Sequence, residues 1–179
     1  DPFAFRRQLL RNNARWLRVL EIAASKAGWG EHLGAGRGRG IAIHGSFKSV
    51  VAQVVDVTVS DGSLKIDRVV CAVDCGKAIH PDTVVGQMES GIIYALSAAL
   101  YGRITISDGA VAEDQFSSYP VLQMHETPRI DVHIVATDGE PGGVGEPGVP
   151  PLAAALANAV FAATGKRIRE LPLADAIST

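Results

Sequence analysis

"SVVAQVVDVTVSDGSLKIDRVVCAV", residues 49–73, reads as two strands joined by a tight turn. The first half alternates, with Val51, Val55, Val57 and Val59 on one side and Ala52, Val54, Asp56 and Thr58 on the other. That period of two is the strand signature. "DGS" at 61–63 is the hairpin turn, and "LKIDRVVCAV" runs back. "IAIHGSF" ahead of the hairpin predicts a third strand, and "PRIDVHIVAT" at 128–137 a further one. "RITISDGAVAEDQF" at 103–116 predicts a second hairpin, and "RIRELPL" at 167–173 a short closing strand.

Helical spacing occupies the remainder. Residues 80–102, "HPDTVVGQMESGIIYALSAALYG", form a mostly apolar helix with Val85, Met88, Ile92, Leu96 and Leu100 inward. "PLAAALANAVFAAT" starts on a proline and stops at Gly165. Residues 2–27 read as one helix, capped by Asp1, with Pro2 at its first position and Gly28 as its stop. Its apolar stripe is Phe5, Leu9, Trp16, Leu17, Leu20 and Ala24. Irregular alternation of strands, hairpins and helices gives an α+β fold: mixed and antiparallel strands with hairpins packed against helices. Two segments follow, a helix and glycine-rich connector over 1–40 and the body of the fold over 41–179. The connector, "GWGEHLGAGRGRG", admits two readings. It is a hinge between lobes, or an anion loop using Arg37 and Arg39. It lacks the Gly-Lys-Ser/Thr ending of a phosphate loop, and no strand precedes it.

The 179 residues, 47% hydrophobic, suffice for one domain or two small lobes. A formal net charge of −2 leaves no electrostatic footprint for nucleic acid. No apolar run reaches the ~18–20 residues of a transmembrane segment. The chain begins at Asp1-Pro2 rather than Met, so a processed chain, or part of a longer one, is expected. Compartment is not legible. Cys71 and Cys75 would stand ~13 Å apart on a strand, too far for a disulfide, and no second pair makes a metal site. They read as small buried thiols. The five histidines show no ligand spacing, so no metal ligands are assigned.

Two stretches carry possible chemistry. In "GQMESG", Gln87 is a neutral amide flanked by Gly86 and Gly91 inside a helix, where each glycine costs about 1 kcal/mol against alanine. Close approach by something, or tight helix–sheet packing, accounts for them. In "PGGVGEPGVPP" at 141–151, Glu146 is the lone charge in a wall of glycine, proline and valine. The positive end of the following helix would favour an anion there. Alternatively, rigid backbone holds a general base in one position.

"GGVGEPGVPPLAAALANAVFAATGKRIRELP" resembles the C-terminal signature of the large, molybdopterin-binding subunit of the xanthine oxidase/aldehyde oxidase family of molybdenum hydroxylases. Within the family, it is similar to the bacterial isoquinoline 1-oxidoreductase β-subunit group. "RVVCAVDCGKAIHPDTV", "GQMESGIIYALSAALYGRIT" and "SSYPVLQMHETPRIDVHIV" carry the same resemblance, which runs in order through essentially the whole chain. It implies that residues 41–179 are the C-terminal part of a molybdopterin-binding domain. Glu146 falls on the glutamate of the Gly-Glu-Pro motif, the general base beside molybdenum. Gln87 falls on the glutamine that hydrogen-bonds the pterin, and Gly145 joins it as cofactor-binding.

The implied cofactor is a molybdopterin cytosine dinucleotide carrying Mo. The implied partners are the remainder of the large subunit and a small subunit with two [2Fe-2S] clusters. The implied activity hydroxylates an N-heteroaromatic compound, or oxidises an aldehyde, with oxygen from water; the setting is bacterial, cytoplasmic or periplasmic. This sequence departs at Ser90, where many relatives carry Gly, and at His80, where Asn is common. Two rival readings stand beside it. One is a non-catalytic subunit-contact or scaffold domain, suggested by the arginine-rich first helix. The other is an acid/base hydrolase pairing Glu146 with His125, for which no nucleophile motif exists.

Overall fold

A computed structural model of the chain describes residues 1–173. A four-stranded sheet, ordered β1-β2-β3-β6, forms its centre. Strands β1 (Arg37–Ser46), β2 (Ser49–Ser60) and β3 (Ser63–Asp74) run antiparallel, and β6 (Arg129–Ile134) lies parallel to β3. Parallel pairing needs a crossover. Helix α3 (Pro81–Leu100) supplies it, followed by the two-residue strands β4 (Ile106–Ser107) and β5 (Ala110–Val111) around Asp108-Gly109.

The alternation in β2 sorts the core into two layers. Val51, Val55 and Val57 face α3 and α4 (Pro150–Thr164), together with Met88, Ile92, Leu96, Leu152 and Leu156. Ala52 and Val54 face the opposite side, beneath α2 (Ala14–Ala27), with Val19, Leu20 and Ala23. The α+β assignment is thus a helix–sheet–helix sandwich.

Several expectations are corrected. The helix expected over 2–27 is two, because Asn13 leaves the helix and its side chain caps α2 at the Trp16 amide, 3.2 Å away. Asparagine competes for backbone hydrogen bonds in this way. Phe5 and Leu9, on α1 (Pro2–Leu9), are exposed, so only the α2 part of the stripe reaches the core. On α3 the inward valine is Val84, not Val85. The closing strand at 167–173 does not form; Ile168 and Leu173 reach the core, but Pro172 has no amide to donate to a ladder. Residues 174–179, the end of the second expected segment, lie outside the described residues. At the α3 start, His80 takes the capping role that asparagine would fill, its Nδ1 accepting from the Thr83 amide at 3.2 Å.

The glycine-rich connector is shorter than expected, ending where β1 begins. Arg37–Gly40 are already strand, paired with Thr58–Val55. Arg39 is buried in a bidentate pair with Asp56, 2.6 and 3.1 Å, and also donates to the Gly28 carbonyl that ends α2. No guanidinium is left for an anion at Arg39, and α2 is fastened to the sheet rather than hinged from it. Gly38 and Gly40 exist because α4 lies directly on β1: a Cβ on either would collide with α4 backbone.

A second clasp joins α2 to the end of β3. Arg15 donates to both carboxylate oxygens of Asp74 at 3.0 Å, and to the Lys48 carbonyl at 2.8 Å. Asp74 is 2% exposed. Burial raises its pKa, but the Arg15 hydrogen bonds, the Gly76 amide and the Arg15 charge outweigh this and hold the carboxyl below its ordinary value. A carboxyl whose folded pKa lies below its unfolded one adds stability above the unfolded value and loses it as pH falls through the folded one. Arg15→Met is therefore expected to be about 2 kcal/mol less stable at pH 7, discounted because the arginine is partly exposed. The gap narrows as pH falls below the ordinary carboxyl range and closes once Asp74 is protonated, below its lowered folded value, where Arg15 has little left to contribute. Urea midpoints at stepped pH measure it; a gap that stays constant to pH 3 contradicts the assignment.

Candidate functional site

The segment 139–149 crosses one end of the sheet and enters α4 at Pro150. It is fastened at four glycines. The Gly139 carbonyl accepts from the Lys77 amide (2.9 Å), and the Gly142 amide donates to the Cys75 carbonyl (2.8 Å). Gly143 both donates to the Phe47 carbonyl (2.8 Å) and accepts from the Ser49 hydroxyl (2.7 Å). The Gly148 carbonyl accepts from the Gln53 side chain at 2.7 Å. Gln53 is 0% exposed on β2, opposite Cys71. The glycines permit this closeness: a Cβ on Gly143 would stand 2.8 Å from that of Phe47.

Glu146 sits at the outer turn of this segment, where its carbonyl accepts from the Val149 amide at 2.9 Å. Pro147 and Gly148 behind it are buried, while Glu146 itself is exposed. Among the described residues, nothing forms an ion pair or side-chain hydrogen bond with its carboxylate. Glu146 opens onto a cleft of about 600 Å³, whose other walls include Phe47 from the β1–β2 turn and Ser90 and Tyr94 from α3.

Gln87 stands beside the same segment: the Cβ position of Gly145 lies 3.7 Å from its Nε2. The Gln87 side chain has no hydrogen-bond partner among the described residues. The three residues singled out in the sequence, Gln87, Gly145 and Glu146, are therefore neighbours. The flanking glycines divide between the two readings. Gly91 is packed, since a Cβ there would be 3.4 Å from the Gly148 Cα; Gly86 meets nothing within 4 Å.

His125 is elsewhere, in a single 3₁₀ turn (Met124–Glu126) that lines a separate cavity with Tyr101 and Lys65. A Glu146–His125 acid/base pair is thus not assembled. Cys71 and Cys75 are buried free thiols, and burial pushes Cys71 up to about 12, with Gln53 hydrogen bonding pulling the other way. Among the described residues no group of three His, Cys, Asp or Glu could hold a metal.

Sequence reading misses Gln53, Phe47 and Tyr94. Gln53 carries a usable signal, a polar residue in the middle of the run "VVAQVV". Phe47 and Tyr94 look like ordinary apolar positions.

Residues 23–128 match the molybdopterin cofactor-binding domain family. The chain is 36% identical to the β-subunit of isoquinoline 1-oxidoreductase from Brevundimonas diminuta, over 99% of this chain and 23% of that protein. It is 34% identical to a nicotinate dehydrogenase subunit from Pseudomonas putida, over 97% of this chain and 16% of that protein. The chain therefore spans less than a quarter of either relative. Among solved structures, the aldehyde oxidoreductase of Desulfovibrio gigas shares the fold at a TM-score of 0.63 and 23% identity, over 73% of this chain and 15% of that one. Quinoline 2-oxidoreductase of Pseudomonas putida 86 does so at 0.61 and 24%, over 70% and 17%. No helix among the described residues is long and apolar enough to cross a membrane. With its matched span covering α3 and most of the sheet, the chain belongs to the molybdopterin cofactor-binding domain family, in the large subunits of the xanthine oxidase/aldehyde oxidase molybdenum hydroxylases.

Proposed function

We propose that this chain supplies the general base and part of the cofactor cradle of a bacterial molybdenum hydroxylase acting on an N-heteroaromatic compound or an aldehyde. The carrying observation is a pair of unengaged groups meeting at Gly145, of which Glu146 lines the cleft. The Glu146 carboxylate stands on a segment anchored on both sides of it, and the Gln87 amide stands against the residue preceding it. The names of two relatives, isoquinoline 1-oxidoreductase and nicotinate dehydrogenase, favour a flat nitrogen heterocycle.

The residues present fit a molybdopterin. Gln87 offers two donors and an acceptor that no described residue uses. Gly86 leaves open space beside it at a helix position where alanine would be more stable. Gln87 would hold the pterin, with Gly145 letting the cofactor approach the backbone. When bound, the cofactor supplies the metal centre that delivers water-derived oxygen and takes up two electrons.

Glu146 takes a proton from the activated water at one carboxylate oxygen. The anchors to Cys75, Phe47, Ser49 and Gln53 hold the backbone on either side of Glu146 in place, which limits where its carboxylate can reach. The aromatic and aliphatic cleft walls reduce competing water. The cofactor would be the cytosine dinucleotide form, with a small partner subunit carrying two [2Fe-2S] clusters as its redox partner. The rest of the site belongs to the remainder of the large subunit, so the 179 residues alone are inactive.

Gln87→Leu in the complete subunit tests the cradle. Loss of its hydrogen bonds is expected to weaken pterin retention about tenfold or more. Molybdenum and pterin content per folded subunit is the readout, and full retention removes Gln87 from the assignment.

A further inference from the structure

The β1–β2 connection is a two-residue hairpin turn whose central residues, Phe47 and Lys48, both have left-handed backbone, with φ of 52° and 65°. Turns of this kind normally take Asn-Gly, because bulky side chains rarely adopt positive φ. A phenylalanine there needs a reason. Packing does not give one, since the ring is 60% exposed and belongs to neither core cluster. Yet the backbone is clamped on three sides. The Phe47 carbonyl accepts from Gly143, Ser49 beside the turn bonds the Gly143 carbonyl, and the Lys48 carbonyl accepts from Arg15. A strained residue held this firmly points to function rather than to folding.

The ring lines the Glu146 cleft, and Tyr94, 70% exposed on α3, lines it too. Ser46, also on the cleft, has a buried hydroxyl with no partner among the described residues. The cleft thus combines two unpacked aromatic rings with one unsatisfied polar group beside a free carboxylate, a composition suited to a flat ring bearing a heteroatom. We infer that Phe47 is a specificity-determining residue of the Glu146 cleft, projected there by its left-handed backbone so that it and Tyr94 select flat aromatic substrates. The inference deepens the function proposed above and rests on that reading of Glu146.

The test uses the complete, cofactor-loaded subunit, titrated calorimetrically with isoquinoline and with decahydroisoquinoline, anaerobically and without an electron acceptor. The wild type is expected to prefer the flat ring. Phe47→Gly is expected to reduce that preference at least tenfold, whereas Phe47→Tyr keeps it. Phe47→Gly and Phe47→Asn both suit the turn, so each should melt at or above the wild-type temperature. No flat-ring preference in the wild type, an unchanged preference in Phe47→Gly, or a lower melting temperature shared by the Gly and Asn variants overturns the inference. The last result would make Phe47 a packing residue against other parts of the subunit. Turnover lost in Glu146→Gln with ring preference unchanged in Phe47→Gly overturns the role of Phe47 alone. Turnover retained in Glu146→Gln overturns the reading beneath it.

Discussion

Glu146→Gln in the complete subunit is expected to lower turnover by about 10²- to 10⁴-fold, the range a positioned general base contributes. The substitution keeps shape and polarity and removes the negative charge with its capacity to accept a proton. Its structural cost should be small, because the carboxylate makes no ion pair or hydrogen bond among the described residues. The backbone contact that shapes the turn, the Glu146 carbonyl with the Val149 amide, is untouched by a side-chain change. Cofactor content, subunit assembly and melting temperature should therefore match wild type while kcat falls.

That combination separates the base from the two explanations that compete with it. If Glu146 were there only to complement the positive end of α4, the glutamine variant would lose up to about 1 kcal/mol of stability and little activity. A scaffold or subunit-contact role would leave turnover unchanged with assembly normal. The exposed apolar side chains of residues 104–124, among them Ile104, Ile106, Phe116 and Met124, are the part of the chain such a role would draw on. None of these four side chains lines the cleft, so the two roles can coexist, and kinetics of the single variant decides which one Glu146 serves.

Local chemistry explains how much of this is legible in the sequence. The β2 alternation can be read because both faces are covered, one by α3 and α4 and the other by α2, so each residue's side has a consequence in the core. Glu146 stands out because a charge among glycine and proline has no ordinary surface role. What stays hidden depends on distant partners. Phe5 and Leu9 have helical spacing but face no layer, since the chain turns at Asn13 before α2 reaches the sheet. Phe47 carries no local sign of its backbone geometry; the turn becomes visible only when Gly143 and Arg15 are seen holding it. "GRGRG" misleads because glycine permits both bending and close approach, and only the position of α4 says which one is in use.

That last ambiguity gives the second large effect. Gly40→Ala is expected to destabilise the chain by about 3 kcal/mol or more, and Gly40→Val to prevent stable folding. On β1, Gly38 and Gly40 share one face, and a methyl on Gly40 would run into the Ala155 carbonyl and the Ala159 amide of α4. These are backbone atoms inside a regular helix, so no rotamer change relieves the overlap; α4 must lift from the sheet. Leu152, Leu156 and Val160 on that helix are buried, so lifting it opens the core. Gly86→Ala is the matched control. The same added methyl meets nothing within 4 Å on α3 and should stabilise the chain by about 1 kcal/mol through helix propensity alone. One chemical change thus has opposite signs at two glycines, read as denaturant midpoints. Equal effects at both would mean that α4 does not rest on β1 as described. The position of Glu146 depends on the same contact, because Pro150 starts α4 about two turns before the Gly40 crossing, and a helix displaced there carries the 145–149 turn away from Gln87.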